Sequence, residues 1–549
     1  MQMKPPRFSK VYAPGILLLA AMALLPLNHL NYFELMPGDI GDARLNNYFL
    51  EHVYQFFLGT STSLWEMPFF YPFPYVLGFS DNLFGSAPVY LAARFLGAHT
   101  DTAFQIWFLV AYISNFSAAY YALRALGCSV FAASMGALIF AFSLPTTAHT
   151  GHAQLHYRFG IPLAILFFSK FLEKNNWHAF MLSGVWLVWQ FYAGIYMGFF
   201  TLLLLSGMLI TYVGREKFNS SRTIKTVLYG FVTAWQSLLQ KEKSQNLILL
   251  FVLLGLLLIL FFPYWEVSRL YGAKREWAEI STMLPRPQSY FLADALAFWP
   301  SSRLEIFGDI PMRHEHQMFM GVTPLLLVIF GVYAGIRSNT GKVFPMMLGS
   351  LGIAIISTLY IGGFSIWYFL HKLPLASAIR AITRLDQAIL FPIAYIAALG
   401  IDHLRARRAW WEKPIVVLIL PLLLFEMSMT AMSTSPKQIW RQRISEAEQI
   451  LPKDMPEDAI IFIAQKTEPF YAAELDAMWV AINHRVKTLN GYSGLLPPGY
   501  TLKYGKNCAE WPHRVAAYVG FAKSPEPDTA YQTIMSQTIP LGFEGCEAK

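Results

Sequence analysis

Long apolar runs, separated by polar segments, set the pattern of this chain. They cover residues 11–27, 103–123, 128–144, 159–172, 177–192, 194–213, 247–265, 320–336, 343–360, 387–404 and 414–432. A helix needs about 20 apolar residues to cross a bilayer's hydrocarbon, and most of these runs are near that length. Residues 159–172 form a short run, and the two runs meeting at Gly194 read either as two spans or as one long broken helix. Elsewhere the apolar period becomes that of an amphipathic helix. Leu45, Phe49, Val53 and Phe56 share one helical face, and a second helix is predicted over residues 87–96; both suit helices lying in the membrane interface. The Pro- and aromatic-rich stretch 68–74 between them cannot be regular helix. Ile224, Val227, Leu228, Phe231, Trp235, Leu238 and Leu239 predict an amphipathic helix over residues 223–243 on the cytoplasmic surface. After residue 432 come a helix over 438–451, a strand over 459–464 and a Gly/Pro-rich stretch over 490–499. The predicted fold class is an all-α polytopic membrane protein: residues 1–432 form a domain of about eleven transmembrane helices, and residues 433–549 a small α/β domain.

Charge orients this arrangement. With the N-terminus inside and the spans alternating, the inside segments hold Lys4, Arg7 and Lys10; Arg124; Lys170 and Lys174; the basic stretch 215–243; Arg337 and Lys342; and Arg405, Arg407, Arg408 and Lys413. This is the positive-inside pattern. It puts the loops 28–102 and 266–319 and the tail outside the cytoplasm, in what is expected to be a bacterial inner membrane. The basic N-terminus followed by an apolar run resembles a signal peptide, but without a small-x-small site it reads as an uncleaved span. Only 14% of the 549 residues are charged, against about 25% in soluble proteins, so lipid must cover much of the surface. The net charge of +8 is dispersed, with no basic stripe, and nucleic acid is excluded as a partner. Of three cysteines, Cys128 opens an apolar run; Cys508 and Cys546 lie in the tail, where an oxidising compartment predicts a disulfide between them. No zinc-type Cys spacing occurs.

The candidate chemistry begins just past the first run, at Pro37-Gly38-Asp39-Ile40-Gly41-Asp42-Ala43-Arg44-Leu45-Asn46. Two carboxylates three residues apart, with Arg44 and Asn46, mark a site; the competing reading is that Asp42 caps the following helix. This corner resembles the GT-C glycosyltransferases, membrane enzymes that move a sugar from a polyprenyl-phosphate carrier to an acceptor outside the cytoplasm. Gly41-Asp42-Ala43-Arg44 is similar to their first-loop motif of an acidic pair followed by arginine, with Gly41 where the first acid is expected and Asp39 as its substitute. Phe69-Phe70-Tyr71-Pro72, Ser80-Asp81-Asn82-Leu83-Phe84-Gly85, Pro88-Val89-Tyr90, Ile379-Arg380-Ala381-Ile382-Thr383-Arg384, Asn490-Gly491-Tyr492-Ser493-Gly494 and Pro497-Pro498-Gly499-Tyr500 look like bacterial membrane proteins of this type. The resemblance implies a polyprenyl-phosphate-linked sugar donor, an acceptor that is a glycan, lipid or protein, and single displacement with Asp42, or failing it Asp39, as general base.

Other candidates lie further along. His149, His152 and His156, followed by Arg158, form an imidazole-rich outside turn, fit to bind a metal or to hold a phosphate or hydroxyl, or simply exposed. The cofactor to consider is a divalent ion, magnesium or manganese, with Asp39 and His152 as ligands. His371, Lys372, Arg380 and Arg384 precede the tenth run on an outside segment; they read as a lipid-phosphate site, or as partners of Asp386 or of lipid headgroups. Asn490 and Tyr492 are expected to fold back as a lid that hydrogen-bonds the sugar, and the aromatic loop 65–75 to stack on it. Arg286, Asp294, Arg303, Asp309, Arg313, His314, Glu315 and His316 have no assigned role; Glu426 in the last run is expected to bond a neighbouring helix. The rival functions are a transporter or flippase of lipid-linked sugars, whose usual internal repeats are missing here, and a non-catalytic membrane assembly factor.

Overall fold

A computed structural model describes residues 9–219, 244–299, 301, 304–337, 341–373, 376–406, 412–456, 458–464, 469–500 and 510–542. The predicted amphipathic helix at 223–243 and both tail cysteines lie outside the described residues.

Each apolar run carries a helix, because a backbone in lipid must satisfy its own hydrogen bonds locally. In chain order these are α1 (Ser9–Leu24), α4 (Thr100–Ala125), α5 (Val130–Phe142), α6 (Gly160–Lys174), α7 (Trp177–Ala193), α8 (Ile195–Asn219), α9 (Ser244–Tyr271), α10 (Val322–Arg337), α11 (Val343–Thr358), α12 (Asp386–Ala406) and α13 (Glu412–Ser428). Between the first two lie α2 (Asp42–Phe57) and α3 (Ala87–Phe95), close to the predicted bounds. Among the described residues, six helical segments are long and apolar enough to cross a membrane, and three shorter apolar helices accompany them. The chain is an integral membrane protein. The segment Ile382–Ala406 is 83% buried and forms the centre of the bundle, whereas Gln245–Tyr271 is only 17% buried. The latter shows Ile248, Phe251, Leu258, Ile259 and Phe262 on its surface, side chains that only lipid can cover.

Small residues set the closest helix crossing. A Cβ on Gly331 of α10 would stand 2.0 Å from the Ile396 carbonyl of α12, and one on Gly400 of α12 would stand 2.8 Å from the Leu327 carbonyl. Two backbones meet here with no side chain between them, the usual device where helices associate without a hydrophobic drive. Glu426 of α13 accepts from the amides of Val322 and, at 3.0 Å, Thr323; it caps α10, the neighbouring-helix bond expected of it.

The chain after α13 returns to α2. β1 (Leu35–Pro37) pairs antiparallel with β2 (Thr434–Pro436), with Leu35 opposite Pro436. Then come α14 (Lys437–Gln449), β3 (Ile460–Ile463), α15 (Phe470–His484), β4 (Lys487–Thr488), α16 (Glu510–Ala522), α17 (Pro527–Gln537) and β5 (Thr538–Leu541). The strands form a parallel sheet in the order β4-β3-β5, and all four residues of β3 are buried, as a central parallel strand requires. The non-helical stretch 68–74 runs along β4: Thr488 N donates to Pro68 O (2.7 Å), Tyr71 N to Thr488 O (3.0 Å) and Phe70 N to Asn490 O (2.9 Å). Phe69, Phe70 and Phe73 are buried against Tyr48, Tyr500 and Tyr518, because burying three phenyl rings releases more than any exposed stacking role.

α2 is not a surface-lying helix. Every residue from Ala43 to Val53 is buried, with α15 and α3 packed on it. Its core face is the predicted one, but its polar face is also covered: Glu51 takes Tyr90 and Arg94, and Arg44 takes Asp476.

Candidate active site

The site forms where the turn before α2 meets the turn between α5 and α6. Gly38 makes the meeting possible: it has φ +80, and a Cβ there would lie 2.5 Å from Ala43 Cβ and 3.1 Å from Gly151 Cα. Asp42 opens α2, but its carboxylate does not cap the helix; Gly41, which has no side chain to cap with, is the N-cap. Asp42 Oδ1 instead accepts from the Tyr492 hydroxyl at 2.7 Å, and Oδ2 lies 3.2 Å from His152 Nδ1. The cap reading is set aside, although the helix N-terminus still favours an anion there.

His152 stands between carboxylates, its Nε2 3.2 Å from Glu315 Oε1. Glu315 sits on the turn Arg313–His316 and is gripped bidentately by Arg384, Nε to Oε2 at 3.0 Å and Nη2 to Oε1 at 2.7 Å, with both side chains buried. Arg384 thus pairs with neither Asp386 nor a headgroup. Asp386 faces His149 Nε2 at 3.1 Å.

The electrostatics follow. Burial alone would raise Asp42, but His152, the Tyr492 hydroxyl and Arg384 hold it down to about 2. Burial and Arg384 push His152 down, yet Glu315 and Asp42 win and raise it to about 8. Asp39 differs from its neighbour. It lies exposed at the mouth, its Oδ1 accepts from Gly41 N at 3.1 Å, and the desolvation of its buried flank, with the charge of Asp42, raises it above the ordinary carboxylate value. Asp81 is a further buried carboxylate, accepting from Ile195 N at the break between α7 and α8; burial raises it to about 6. Gly194 terminates α7 there, so the two runs are two helices.

Of the residues read from the sequence, Asp39, Asp42, His152, Arg384 and Tyr492 converge. Asn46 supports them, donating to Asp42 O at 2.7 Å and Gln154 Oε1 at 2.9 Å. Arg380 stands at the rim, its backbone N 3.3 Å from the Tyr196 hydroxyl, and donates to Glu279 at 3.0 Å. The others are elsewhere. Arg44, one helical step from Asp42, turns into the protein to meet Asp476. His156 packs between Phe108 and Tyr112, and burial pushes its pKa far down. Arg158 ties α5 to α12 through Phe140 O (3.2 Å) and Gln387. His371 lies against Trp277 and Tyr368. Asn490 folds back on the first loop as expected, but its amide is spent on Ile463 N (2.7 Å), Ile463 O (3.0 Å) and Glu474 (3.1 Å), so it braces the sheet.

The residues missed are Glu315, Asp386, Asp81, Arg275 and Tyr471. The run Arg313-His314-Glu315-His316, an acid among bases in a long loop, carried a local signal for Glu315, and Asp81 and Asp386 lay in or beside stretches already singled out.

Nitrogens of His149 and His152 and an oxygen of Glu315 lie within 4.8 Å of one another, close enough to share a metal ion. Two imidazoles and a carboxylate suit zinc or manganese better than magnesium, which prefers oxygen. The donor set fits such an ion; it excludes Asp39, and Arg384 is the cation already placed among the donors.

No family model and no curated protein sequence matches the chain. Solved structures do. The arabinofuranosyltransferase AftD from Mycobacteria aligns at TM-score 0.44 and 13% identity over 84% of this chain, which spans about a third of AftD (31%). An Archaeoglobus fulgidus oligosaccharyltransferase, crystallised with zinc and sulfate, aligns at TM-score 0.50 and 12% identity over 95% of this chain and 67% of its own. The chain shares its fold with this oligosaccharyltransferase.

Proposed function

We propose that this protein is a membrane glycosyltransferase that moves a sugar from a polyprenyl-phosphate carrier to an acceptor hydroxyl outside the cytoplasm. The observation that carries this reading is the convergence of two carboxylates, Asp39 and Asp42, with His152, Glu315 and Arg384 at the end of the first apolar helix. A carrier lipid keeps its phosphate at the headgroup layer, so the bond to be broken lies close to such a corner.

The two aspartates divide the work. Paired acids in unlike environments have their pKa values pushed apart, and the one with the higher value is the better base. Asp39 is exposed and raised, and its hydrogen bonds come from the backbone amides of Gly41 and Ala43; it takes the acceptor proton. Asp42, held ionised by Tyr492 and His152, faces the positive charge that develops on the sugar as the acceptor oxygen attacks the anomeric carbon. This reverses the order expected from sequence, where Asp42 came first. Arg380 at the rim, with Arg275, takes the departing lipid phosphate: these two guanidinium groups share the single carboxylate of Glu279, at 3.0 and 3.2 Å, which leaves a net positive charge. An ion held by His149, His152 and Glu315 would add positive charge for the leaving group.

The test is incubation of the purified chain with polyprenyl-phosphate-linked sugars and an acceptor mixture, followed by mass spectrometry of the freed lipid phosphate. Acceptor-dependent release supports the reading; release from none of the donors sinks it. The break at Gly194, capped by Asp81, favours a second reading, since flippases and transporters place broken helices at their sites. Movement of intact lipid-linked sugar across proteoliposomes, without cleavage, would select it.

A further inference from the structure

Two tyrosines remain over the catalytic corner with no role in proton transfer. Tyr471 is on the first turn of α15 and Tyr492 follows β4; their rings stand 5.5 Å apart, tilted by 39°, and both are half-buried. Tyr471 reaches the aspartates because Gly41 has no side chain. A Cβ on Gly41 would lie 3.1 Å from Tyr471 Cε2 and 3.2 Å from Asp39 Oδ2, so ring and carboxylate flank the same point. α15 is held in place by the buried Arg44–Asp476 pair, which makes the ring a fixed wall. We infer that Tyr471 and Tyr492 form the acceptor wall of the site and that the acceptor is a neutral sugar ring; this rests on the transferase reading above.

The chemistry selects a sugar. A pyranose or furanose has an apolar C–H face edged by hydroxyls, and it needs an aromatic face with hydrogen-bond acceptors at the rim. The tilted rings give the face, and Asp39 and Asp42 give the rim. Two carboxylates disfavour an anionic acceptor. A peptide needs free backbone groups to pair with, and nearby ones are taken: Asn490 O by Phe70 N, Gly491 N by Glu474, and Gly494 O by Arg275.

The experiment is saturation-transfer NMR on the detergent-solubilised full chain, with methyl glycosides of glucose, galactose, mannose and arabinofuranose, and a neutral serine-containing tripeptide. At least one glycoside should bind, about tenfold more weakly in Tyr471→Ala and with wild-type affinity restored in Tyr471→Phe, which keeps the ring. Gly41→Ala, which pushes the ring away, should weaken the same glycoside. Lack of binding by every glycoside, affinity unchanged in Tyr471→Ala, or capture of the tripeptide at the tyrosines would overturn the inference. Binding needs no turnover, so a chain that binds sugar but transfers none refutes the transferase alone, while transfer whose acceptor KM ignores Tyr471 refutes the wall alone.

Discussion

At the scale of single residues, Asp39 and Asp42 sit three positions apart on one turn, yet one is solvent-facing and raised while the other is ionised by contacts from distant loops. The base must be deprotonated to act, so turnover should fall as pH drops through the folded pKa of Asp39. Asp42 contributes to raising that value. Asp42→Asn should therefore shift the acid limb of the pH–rate profile to lower pH, besides slowing transfer about a hundredfold or more through lost charge stabilisation. Asp39→Asn should abolish the limb with the activity. Loss of the limb in Asp42→Asn, with the limb kept in Asp39→Asn, would return the base role to Asp42. Arg380 is judged by a different parameter. Its removal loses charge-assisted bonds of roughly 1.5–3 kcal/mol, so Arg380→Ala should raise donor Kd about tenfold or more and leave the acceptor KM alone. Equal weakening of both would assign Arg380 to general architecture.

Elements deliver these side chains. α2 is gripped on every side, and its Arg44 is fully buried against Asp476, which Arg443 also holds. Removing one partner strands a buried charge. Asp476→Ala should destabilise the chain by about 3–5 kcal/mol. Thermal unfolding in detergent should show this as a lower midpoint; a midpoint within error of wild type would mean that water already reaches the pair. The helix break at Gly194 has a different use, since it turns the amide of Ile195 toward Asp81 and places Tyr196 beneath the Arg384 guanidinium, 5.1 Å from its ring centre. The stretch 68–74 lengthens the sheet at β4, and so joins the tail to the first loop through backbone bonds that any side chains could have made.

On the scale of the whole molecule, the alternation of charge along the apolar runs predicts a cytoplasmic N-terminus and an extracytoplasmic tail. Alkaline phosphatase, active only outside the cytoplasm, should be active when fused after residue 549 and inactive when inserted within residues 220–243. Activity at both places would require a different number of spans. The sequence by itself determined where the helices lie, since a bilayer forces each apolar run to close its own hydrogen bonds. The face of α2, the strand at 459–464 and the acidic corner were legible too, as all follow from residues within a few positions of each other. Only the tertiary structure decided which side chains converge on that corner. Nothing local distinguishes Arg44, which turns inward to Asp476, from Arg384, or His156, packed between aromatic rings, from His152. Glu315 finds Arg384 across 69 residues and Tyr492 finds Asp42 across 450. Side-chain pairings at such separation obey no period along the chain, because they are set by how whole helices and the sheet pack, and that packing is a property of all the residues together.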